Sequence, residues 1–272
     1  MINLYDKIKL GKFVIAGPCV MEDYDTCLKL ATFADSICKK FGLTYIFKAS
    51  FDKANRTSVD SYRGVGLEKS KEIFKALSEK FYTTTDIHTP DQANEIADYV
   101  DIIQIPAFLS RQTDLLIESG QTNKIVNIKK FQMLSGQDMI RPVEKVLSTG
   151  NNKIMLTERG TLIPYGNVVV DLRNLIDMIK LGYPVVMDCT HACQSLNVGQ
   201  SSTAGRKDMA SIYAQAATIC GVTGYFTEIY ECPEEALCDS TTSLSCNEFE
   251  HLITKIVYLL NIISYNKIEK IK

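Results

Sequence analysis

Eight short runs of β-favouring apolar residues, separated by longer segments with helical spacing, constrain the fold of this chain most strongly. The runs are Phe13–Ala16, Tyr45–Phe47, Phe81–Thr85, Ile102–Ile105, Ile125–Ile128, Ile154–Thr157, Val185–Met187 and Tyr225–Thr227. Each run is too short for a free-standing helix and leads into a polar residue. Eight such strand–helix units, spaced roughly 20 to 40 residues apart, predict an α/β fold, a single parallel (β/α)8 barrel, also called a TIM barrel.

The segments between the runs carry apolar stripes at the spacing of an amphipathic helix. The stripes are Leu28, Ala31, Ala34, Ile37 and Phe41; then Ile73, Ala76, Leu77 and Phe81; then Leu175, Met178 and Ile179; and the segments Met209–Cys220 and Phe249–Leu260. A doubly wound open sheet is the alternative fold, but no G-x-G-x-x-G follows the first run.

No low-complexity linker divides the chain, so we expect one domain over residues 1–272. Within it, we predict an N-terminal cap at 1–12, the barrel at 13–263 and a tail at 264–272. A length of 272 residues is ordinary for one such barrel.

Composition excludes several classes of protein. The formal charge is −2, which argues against a general nucleic-acid binder. No apolar run reaches the roughly 18 residues of a membrane span, and the N-terminus lacks the apolar core of a signal peptide. We therefore expect a cytoplasmic protein whose nine cysteines are reduced thiols rather than a disulfide framework.

Reactive or coordinating side chains follow nearly every predicted strand. In chain order they are Cys19, Lys48, Asp86 with His88, Gln104, Lys129, Glu158 with Arg159, Asp188 with His191, and Glu228. Catalytic groups of such barrels stand at the carboxyl ends of the strands, whereas a purely structural loop favours Gly, Asn or Pro there. This pattern predicts an enzyme.

Positive charge concentrates at the same predicted end of the barrel. The cations are Lys48, Lys53, Arg56, Lys129 and Arg159, with Arg111 opening the helix after the fourth strand. So many cations in one mouth would repel one another unless anions filled it. Two phosphate groups and a carboxylate would balance them, which favours two phosphorylated substrates; the alternative is a set of solvated surface side chains.

A second constellation suits a divalent metal ion. Cys19, His191, Glu228 and Asp239 offer a thiolate, an imidazole and two carboxylates, a donor set that fits Zn²⁺, Fe²⁺ or Mn²⁺. The four are far apart in sequence, so a buried apolar Cys19 and a core His191 remain the alternative. A competing structural zinc site, formed by Cys189, Cys193, Cys232 and Cys238, lacks C-x-x-C spacing.

Several motifs resemble one enzyme family over about Lys12 to Ile263. They are IAGPC (15–19), KASFDKANRTS (48–58), TDIHTPDQA (85–93), QIPAFLSRQTDL (104–115), NIKKFQ (127–132), LTERGT (156–161), VVMDCTHACQ (185–194) and the Glu228…Asp239 pair. The chain resembles the 3-deoxy-D-manno-octulosonate 8-phosphate synthase family, which condenses phosphoenolpyruvate with arabinose 5-phosphate. The KANRTS loop is the most specific of these motifs.

The resemblance implies a divalent metal and a set of reactive side chains. Metal-dependent members of this family have Cys in the first strand's loop and metal-independent members have Asn, and this chain has Cys19 after Gly17-Pro18. The implied metal ligands are Cys19, His191, Glu228 and Asp239. The implied catalytic residues are Cys19, Lys53, His191 and Asp239, with the proton assigned to either His191 or Asp239.

The resemblance also implies how two substrates are held. Phosphoenolpyruvate would contact Lys48, Lys53, Lys129 and Arg159, assisted by Gln104, the backbone near Ala107, and Gln194. The sugar phosphate would contact Asn55, Arg56, Thr57 and Ser58. Arg111 would reach it from a neighbouring subunit of a homotetramer, and the product would enter lipopolysaccharide biosynthesis.

The chain departs from the family pattern at three places. Ile229-Tyr230-Glu231 stands where the family usually has Thr-His-Pro, Ile163-Pro164 replaces an aromatic-Gly pair, and Thr57 replaces a common Ser. A changed neighbour of a metal ligand leaves the preferred metal open.

Two other functions are alternatives to this one. The sequence does not determine whether a loop at 199–205 closes over the site. A related synthase could use erythrose 4-phosphate or an amino sugar, although the KANRTS loop favours a five-carbon phosphate. A non-catalytic sugar-phosphate sensor is the alternative from another class, and the four intact metal-ligand candidates argue against it.

Overall fold

A closed barrel of eight parallel strands forms the centre of the structure, a computed structural model that describes residues 2–56, 58–163, 167–195 and 204–269. The barrel strands are β1 (Phe13–Gly17), β2 (Thr44–Lys48), β3 (Tyr82–Asp86), β4 (Ile102–Ile105), β5 (Ile125–Lys129), β6 (Ile154–Glu158), β9 (Val185–Asp188) and β12 (Gly224–Glu228). Each pairs with the next in the chain, and β12 closes onto β1. The (β/α)8 prediction is confirmed, and all eight predicted runs are barrel strands.

Helices alternate with the barrel strands. They are α1 (Leu4–Leu10), α2 (Tyr24–Lys40), α3 (Leu67–Ser78), α4 (Pro90–Ala97), α5 (Thr113–Gln121), α6 (Ile140–Leu147), α7 (Leu172–Lys180), α8 (Ala210–Cys220) and α9 (Cys246–Glu269). The predicted stripes fall on α2, α3, α7, α8 and α9, except for three residues at their ends. Phe41 directly follows α2, Met209 directly precedes α8, and Phe81 lies in the turn before β3, where its N–H donates to the Leu77 carbonyl at 3.0 Å. Among the helices described, none has the length and apolar character that crossing a membrane requires.

Alternation along each strand separates two apolar layers. Ile46, Ile102, Ile125, Met155, Val186 and Phe226 point inward and form one cluster inside the barrel. Their neighbours in sequence, such as Tyr45, Phe47, Ile103 and Met187, point outward and pack in a larger cluster with the helices. Both faces of the strands are therefore covered, as a parallel sheet requires.

Helix α1 covers the amino-terminal end of the barrel. Asn3 caps it by accepting the Asp6 N–H at 2.9 Å. Ile8 is fully buried in the inner cluster, and the Tyr5 hydroxyl donates to the Ile154 carbonyl at 2.9 Å. The position agrees with a cap, while the division into one domain with a cap, a barrel and a tail stays a prediction.

A small antiparallel sheet was not predicted from the sequence. It contains β7 (Thr161–Ile163), β8 (Asn167–Val169), β10 (Gln194–Ser195) and β11 (Ala204–Gly205), in the order β11-β10-β8-β7. Strands of two or three residues are too short for an alternating pattern to be recognised. Most of the loop noted at 199–205 lies outside the described residues, which resume at Ala204 in β11.

The packing of α1 yields a test of its contribution to stability. Ile8→Ala removes a fully buried side chain, and we expect it to lower the free energy of unfolding by about 2–5 kcal/mol. Leu10→Ala in the same helix is the control, because Leu10 is 81% exposed and should change it by less than about 0.5 kcal/mol. Denaturant titration of both variants measures the difference, and equal losses would contradict the buried position of Ile8.

Candidate active site

Polar side chains continue the inward-facing positions where the barrel strands end. On four strands, the residue two positions after an inward-pointing apolar side chain is polar. The pairs are Ile46 and Lys48, Ile102 and Gln104, Val186 and Asp188, and Phe226 and Glu228. Because the side-chain period of a strand is two, these polar groups also point inward, one layer above the apolar cluster. A cavity of about 730 Å³ opens at this end of the barrel.

Most of the predicted site residues meet in this cavity. Its lining includes Lys48, Lys53, Asn55, Arg56, Gln104, Ala107, Lys129, Arg159, His191, Gln194 and Asp239. Cys19 and Glu228 are buried next to Asp239 and His191 respectively. Ser58 is half-buried and does not line the cavity, and Thr57 lies outside the described residues.

Gly17 brings the first strand's loop close to the second strand. A Cβ on Gly17 would lie 2.0 Å from the Lys48 carbonyl oxygen, so only glycine permits this approach. Beyond it, Ser50 donates its N–H to the Cys19 carbonyl at 3.4 Å and accepts the Met21 N–H at 2.8 Å. The G-P-C sequence thus places Cys19 at the rim of the barrel, beside the Lys48 loop.

Four potential metal ligands converge from distant parts of the chain; we call Cys19, His191, Glu228 and Asp239 the donor cluster. His191 Nε2 lies 3.4 Å from Glu228 Oε1 and 3.8 Å from Asp239 Oδ2, and Cys19 Sγ lies 3.5 Å from Asp239 Oδ2. Asp239 therefore joins a thiol on one side to an imidazole and a second carboxylate on the other. Its backbone is left-handed, with φ of 47°, a conformation that Asp tolerates better than most residues.

The donor cluster has the properties of a cation site. Glu228 is 1% exposed, and neither carboxylate oxygen has a hydrogen-bond partner among the residues that the structure describes. A buried carboxylate without a hydrogen bond is costly unless positive charge compensates it, and the nearest side-chain cation, Lys53, lies 3.9 Å from Glu228 Oε1. Sulfur, nitrogen and oxygen donors within a few ångströms fit a borderline divalent ion, so the residues present fit the predicted metal.

Asp188 joins the donor cluster to the cations of the cavity. Its Oδ2 lies 2.6 Å from Lys129 Nζ and 2.8 Å from the ring nitrogen Nδ1 of His191. Its Oδ1 accepts a hydrogen bond from the backbone N–H of His191 at 2.9 Å. Burial alone would raise the pKa of Asp188, but His191 and Lys129 hold it well below its ordinary value. With Nδ1 directed at this carboxylate, Nε2 is the nitrogen that faces Glu228 and Asp239.

Three buried cations form what we call the cationic wall: Lys48, Lys129 and Arg159. Lys129 Nζ sits 4.0 Å from the ring centre of Phe226, a member of the apolar cluster inside the barrel. Lys48 Nζ donates to Ser50 Oγ at 2.8 Å and lies 3.1 Å from Asp86. Burial lowers the pKa of Lys48, although Asp86 partly opposes that effect.

Arg159 is tied to the donor cluster through one amide. Its Nη2 donates to Gln194 Oε1 at 2.6 Å, and Gln194 Nε2 donates to Asp239 Oδ2 at 3.1 Å. Arg159 Nη1 is buried without a hydrogen-bond partner in the described part of the chain. This guanidinium edge is available to an anionic ligand, for which Arg is well suited.

Behind the wall, a fully buried ion pair supports the ends of β5 and β6. Lys130 Nζ lies 3.7 Å from Glu158 Oε1, and that oxygen accepts the Gly160 N–H at 2.6 Å. Lys130 Nζ also donates to the Leu134 carbonyl at 3.0 Å. The pair immediately adjoins Lys129 and Arg159 in sequence, so it fixes the backbone from which both cations project.

Arg111 is not part of the mouth formed by its own chain. It is exposed and lines a separate recess of about 290 Å³ with Leu134, Asp138, Arg141, Pro142 and Lys145. Grouping it with the cations of one mouth was wrong for a single chain, because it lies beyond the turn that follows β4. Its predicted contribution across subunits is untested by one chain and stays a prediction.

The competing four-cysteine zinc site is not formed. Cys232 is exposed, Cys193 Sγ donates to the Cys189 carbonyl at 3.1 Å, and Cys238 instead lies 2.8 Å from Cys19. Within the described residues, the groups able to hold a metal ion contain Cys19, Cys238, His191, Glu228 and Asp239.

Some residues of the site were noted in the sequence but given no role. Asp86 and Asp188 end β3 and β9, and this position was the signal that could have assigned them. His88 Nε2 lies 3.4 Å from Asp86 Oδ2. The backbone N–H of His88 donates to Oε1 of Gln92, a residue of the α4 capping box, at 2.7 Å. Ser50 carried no comparable signal, since a lone Ser after a strand is common.

Comparison with known sequences agrees with this architecture. The sequence profile of the DAHP synthetase I family matches residues 8–261. This chain belongs to the DAHP synthetase I family. The resemblance inferred from the motifs is confirmed, because similar proteins carry the name 2-dehydro-3-deoxyphosphooctonate aldolase, a synonym of the synthase.

Three of these relatives cover nearly the whole chain. The Geobacter sulfurreducens protein is 42% identical over 245 residues, 89% of this chain and 90% of its own length. The Desulfatibacillum aliphaticivorans protein is 44% identical over 246 residues, 90% of each chain. The Syntrophotalea carbinolica protein is 44% identical over 255 residues, 93% of this chain and 92% of its own.

The three residues after Glu228 that depart from the family pattern, Ile229, Tyr230 and Glu231, point away from the donor cluster. Ile229 is fully buried, the Tyr230 hydroxyl donates to Glu22 at 2.9 Å, and Glu231 pairs with Lys29 at 2.5 Å. These contacts attach the segment to α2 and the loop before it. The substitution therefore leaves the ligand geometry of Glu228 in place.

The bridging role of Asp188 can be tested by removing its charge. We expect Asp188→Asn to weaken divalent-ion binding by roughly 10–100-fold, because the amide no longer fixes the His191 ring as a carboxylate does. Asp208→Asn, an exposed aspartate paired with Arg206, is the matched control and should bind as wild type. Isothermal titration with Mn²⁺ or Zn²⁺ makes the comparison, and equal affinities would contradict the bridge.

Proposed function

We propose that this chain condenses phosphoenolpyruvate with D-arabinose 5-phosphate and water, giving 3-deoxy-D-manno-octulosonate 8-phosphate and phosphate. The observation that carries the proposal is that the cationic wall lines one cavity with His191 and Asp239 of the donor cluster, and that Asp188 and Gln194 join the two groups. The relatives, whose names state the same aldol-type chemistry, support it.

Phosphoenolpyruvate is the ligand that best matches the cationic wall. Lys48 and Lys129 each pair with one buried aspartate, whereas Arg159 Nη1 has no hydrogen-bond partner among the described residues. The phosphate and carboxylate of phosphoenolpyruvate would balance the positive charge that remains on this wall. Lys53, Gln104, Gln194 and the backbone near Ala107 complete its surroundings in the cavity lining. Holding both ends of the molecule would leave C3 of the enol phosphate free to face the second substrate.

We assign the sugar phosphate to the loop after β2. Asn55 and Arg56 line the mouth of the same cavity, and Thr57 and Ser58 continue the loop. The exposed Arg111 would complete this site from a neighbouring copy in a homotetramer, since it does not reach the cavity of its own chain.

We assign a divalent ion to the donor cluster, with Cys19, His191, Glu228 and Asp239 as its ligands and Zn²⁺, Fe²⁺ or Mn²⁺ as candidates. When bound, it would orient the aldehyde and water and polarise the oxygen that gains negative charge. Burial and the neighbouring Cys238 raise the pKa of the Cys19 thiol well above its ordinary value. Occupation of the site by metal would release that proton.

The bond-forming step places opposite charges on the two substrates. C3 of phosphoenolpyruvate forms a bond to the aldehyde carbon, so positive character develops at C2 and negative character on the aldehyde oxygen. Water adds at C2, and the C2–O bond to phosphate then breaks. Positioning of both substrates by the cations can contribute about 7–11 kcal/mol to lowering the barrier.

The chain supplies proton carriers beside the reacting atoms. His191 and Asp239 both line the cavity, with His191 Nε2 3.8 Å from Asp239 Oδ2. His191 could move a proton only when its Nε2 is not bound to the ion, because its Nδ1 pairs with Asp188. Asp239 bound through one oxygen would keep the other to deliver a proton to the aldehyde oxygen or accept one from water. Lys53 Nζ lies 3.9 Å from Glu228 Oε1. Burial alone would lower the pKa of Lys53, but Cys19, Cys238 and the Glu228 carboxylate raise it well above the ordinary value. Lys53 therefore remains a cation at neutral pH.

The remaining functions inferred from the sequence are less well supported by the site. A sensor that only binds sugar phosphate has no need of a buried metal-donor cluster next to the cations. An erythrose 4-phosphate or amino-sugar synthase would share the phosphoenolpyruvate site and differ at the Asn55–Arg56 loop. We place the reaction in the cytoplasm and its product in lipopolysaccharide biosynthesis.

Substrate choice is tested by phosphate release from phosphoenolpyruvate with each candidate sugar. We expect release with arabinose 5-phosphate to exceed that with erythrose 4-phosphate or an amino sugar by at least about 100-fold in kcat/KM, because a missing contact to a buried polar group is costly. Mass spectrometry of the eight-carbon product is the confirming measurement. Tight sugar binding without turnover would instead identify a sensor.

Metal dependence is tested by chelation and by Cys19→Asn. A chelator should abolish wild-type turnover, and divalent metal should restore it; an insensitive wild type would refute dependence. If the ion chiefly orients substrates, Cys19→Asn should keep a lower activity that the chelator does not change. A folded but wholly inactive variant would argue for an obligatory Lewis-acid role.

A further inference from the structure

A second thiol, that of Cys238, lies next to the donor cluster. Cys238 Sγ lies 2.8 Å from Cys19 Sγ, and the two thiols are only 5% and 4% exposed. Cys19, Cys238 and Asp239 each offer a donor atom, all within 4.8 Å of one another, and Asp239 also belongs to the group with His191 and Glu228. Cys238 therefore lies within 4.8 Å of the shared Asp239 carboxylate, as does the thiol of Cys19 that the family resemblance singles out.

We propose that Cys238 is a second sulfur ligand of the divalent ion. This inference rests on the metal site proposed above and adds to it a residue that neither the motifs nor the relatives assign. The ion would then be held by two thiolates together with ligands from His191, Glu228 and Asp239. Such a site is softer than a one-thiolate site and favours Zn²⁺ over Mn²⁺.

The position of Cys238 suits this role. Two thiolates on one zinc ion, each about 2.3 Å from it and separated by an S–Zn–S angle of about 110°, stand roughly 3.8 Å apart, so the present contact has to open by about 1 Å. Cys238 lies on a loop after the turn Pro233–Glu235 rather than on a strand, which makes such a shift feasible. Cys238 and Asp239 are adjacent and both line the cavity.

Charge balance also accommodates a second thiolate. Two thiolates and the carboxylates of Glu228 and Asp239 carry four negative charges, which a divalent ion and two side-chain cations would neutralise. The cations are present: Arg56 Nη1 lies 2.7 Å from Cys238 Sγ, and Lys53 Nζ lies 3.9 Å from Glu228 Oε1. Arg56 thereby connects the sugar-phosphate loop to the metal site through the sulfur of Cys238.

Cobalt substitution tests the number of sulfur ligands directly. Co²⁺-loaded protein, kept reduced and free of substrates, absorbs in the near ultraviolet through sulfur-to-metal charge transfer, with an intensity that increases with the number of thiolates. We expect Cys238→Ser and Cys19→Ser each to lower that band to about half of the wild-type value. We also expect the Zn²⁺ Kd of Cys238→Ser to rise by at least about tenfold, since even outer partners of ligands contribute that much.

Cys232→Ser is the matched control, because it removes an exposed thiol six residues earlier in the same loop. It should leave both the band and the Kd unchanged. A wild-type band in Cys238→Ser, with an unchanged Zn²⁺ Kd, would overturn the proposal. Neither readout involves turnover, so loss of the second thiolate ligand and failure of the proposed condensation are distinguishable results.

Discussion

The buried carboxylate of Asp188 is the interaction on which the site depends. It contacts Lys129 on one side and His191 on the other, at 2.6 and 2.8 Å. An ionised group this deeply buried is tolerable only with such partners, and the partners are in turn fixed by it. Lys129, assigned to the proposed anionic substrate, and His191, assigned to the proposed metal site, are thus positioned by one side chain at the end of β9.

Parallel strand ends explain how residues so far apart in sequence reach this carboxylate. Each barrel strand delivers its last inward side chain to the same rim, so β5, β9 and β12 contribute Lys129, Asp188 and Glu228. Loops then add groups that no strand can supply. Gly17 admits the Cys19 loop against Lys48, and the left-handed Asp239 lies within the long connection between β12 and α9.

Much of this architecture could be predicted from the sequence because it follows from period-two patterns. An apolar run followed by a polar residue identifies both a barrel strand and the inward side chain at its end, as with Ile46 and Lys48. The same pattern marked Asp188, yet its role depends on a contact with Lys129, 59 residues away, which no local pattern encodes.

The features that escaped prediction are set by tertiary contacts. The strands β7, β8, β10 and β11 have two or three residues each, too few for a period to be detected. Cys238 was grouped with other cysteines because sequence spacing cannot say which thiol faces Cys19. Arg111 was counted with the mouth because a residue after a strand end points toward the barrel or away from it according to the loop, and here it lies in a separate recess.

The central claim is that one rim of the barrel joins a cation-lined anion site to a metal site through Asp188. Anomalous diffraction from crystals containing Zn²⁺ and phosphoenolpyruvate measures both sites at once. The account predicts an anomalous peak bounded by Cys19, His191, Glu228 and Asp239, with the ligand's carboxylate and phosphate contacting Lys129 and Arg159. A peak elsewhere in the molecule, or a ligand bound away from these cations, would contradict it.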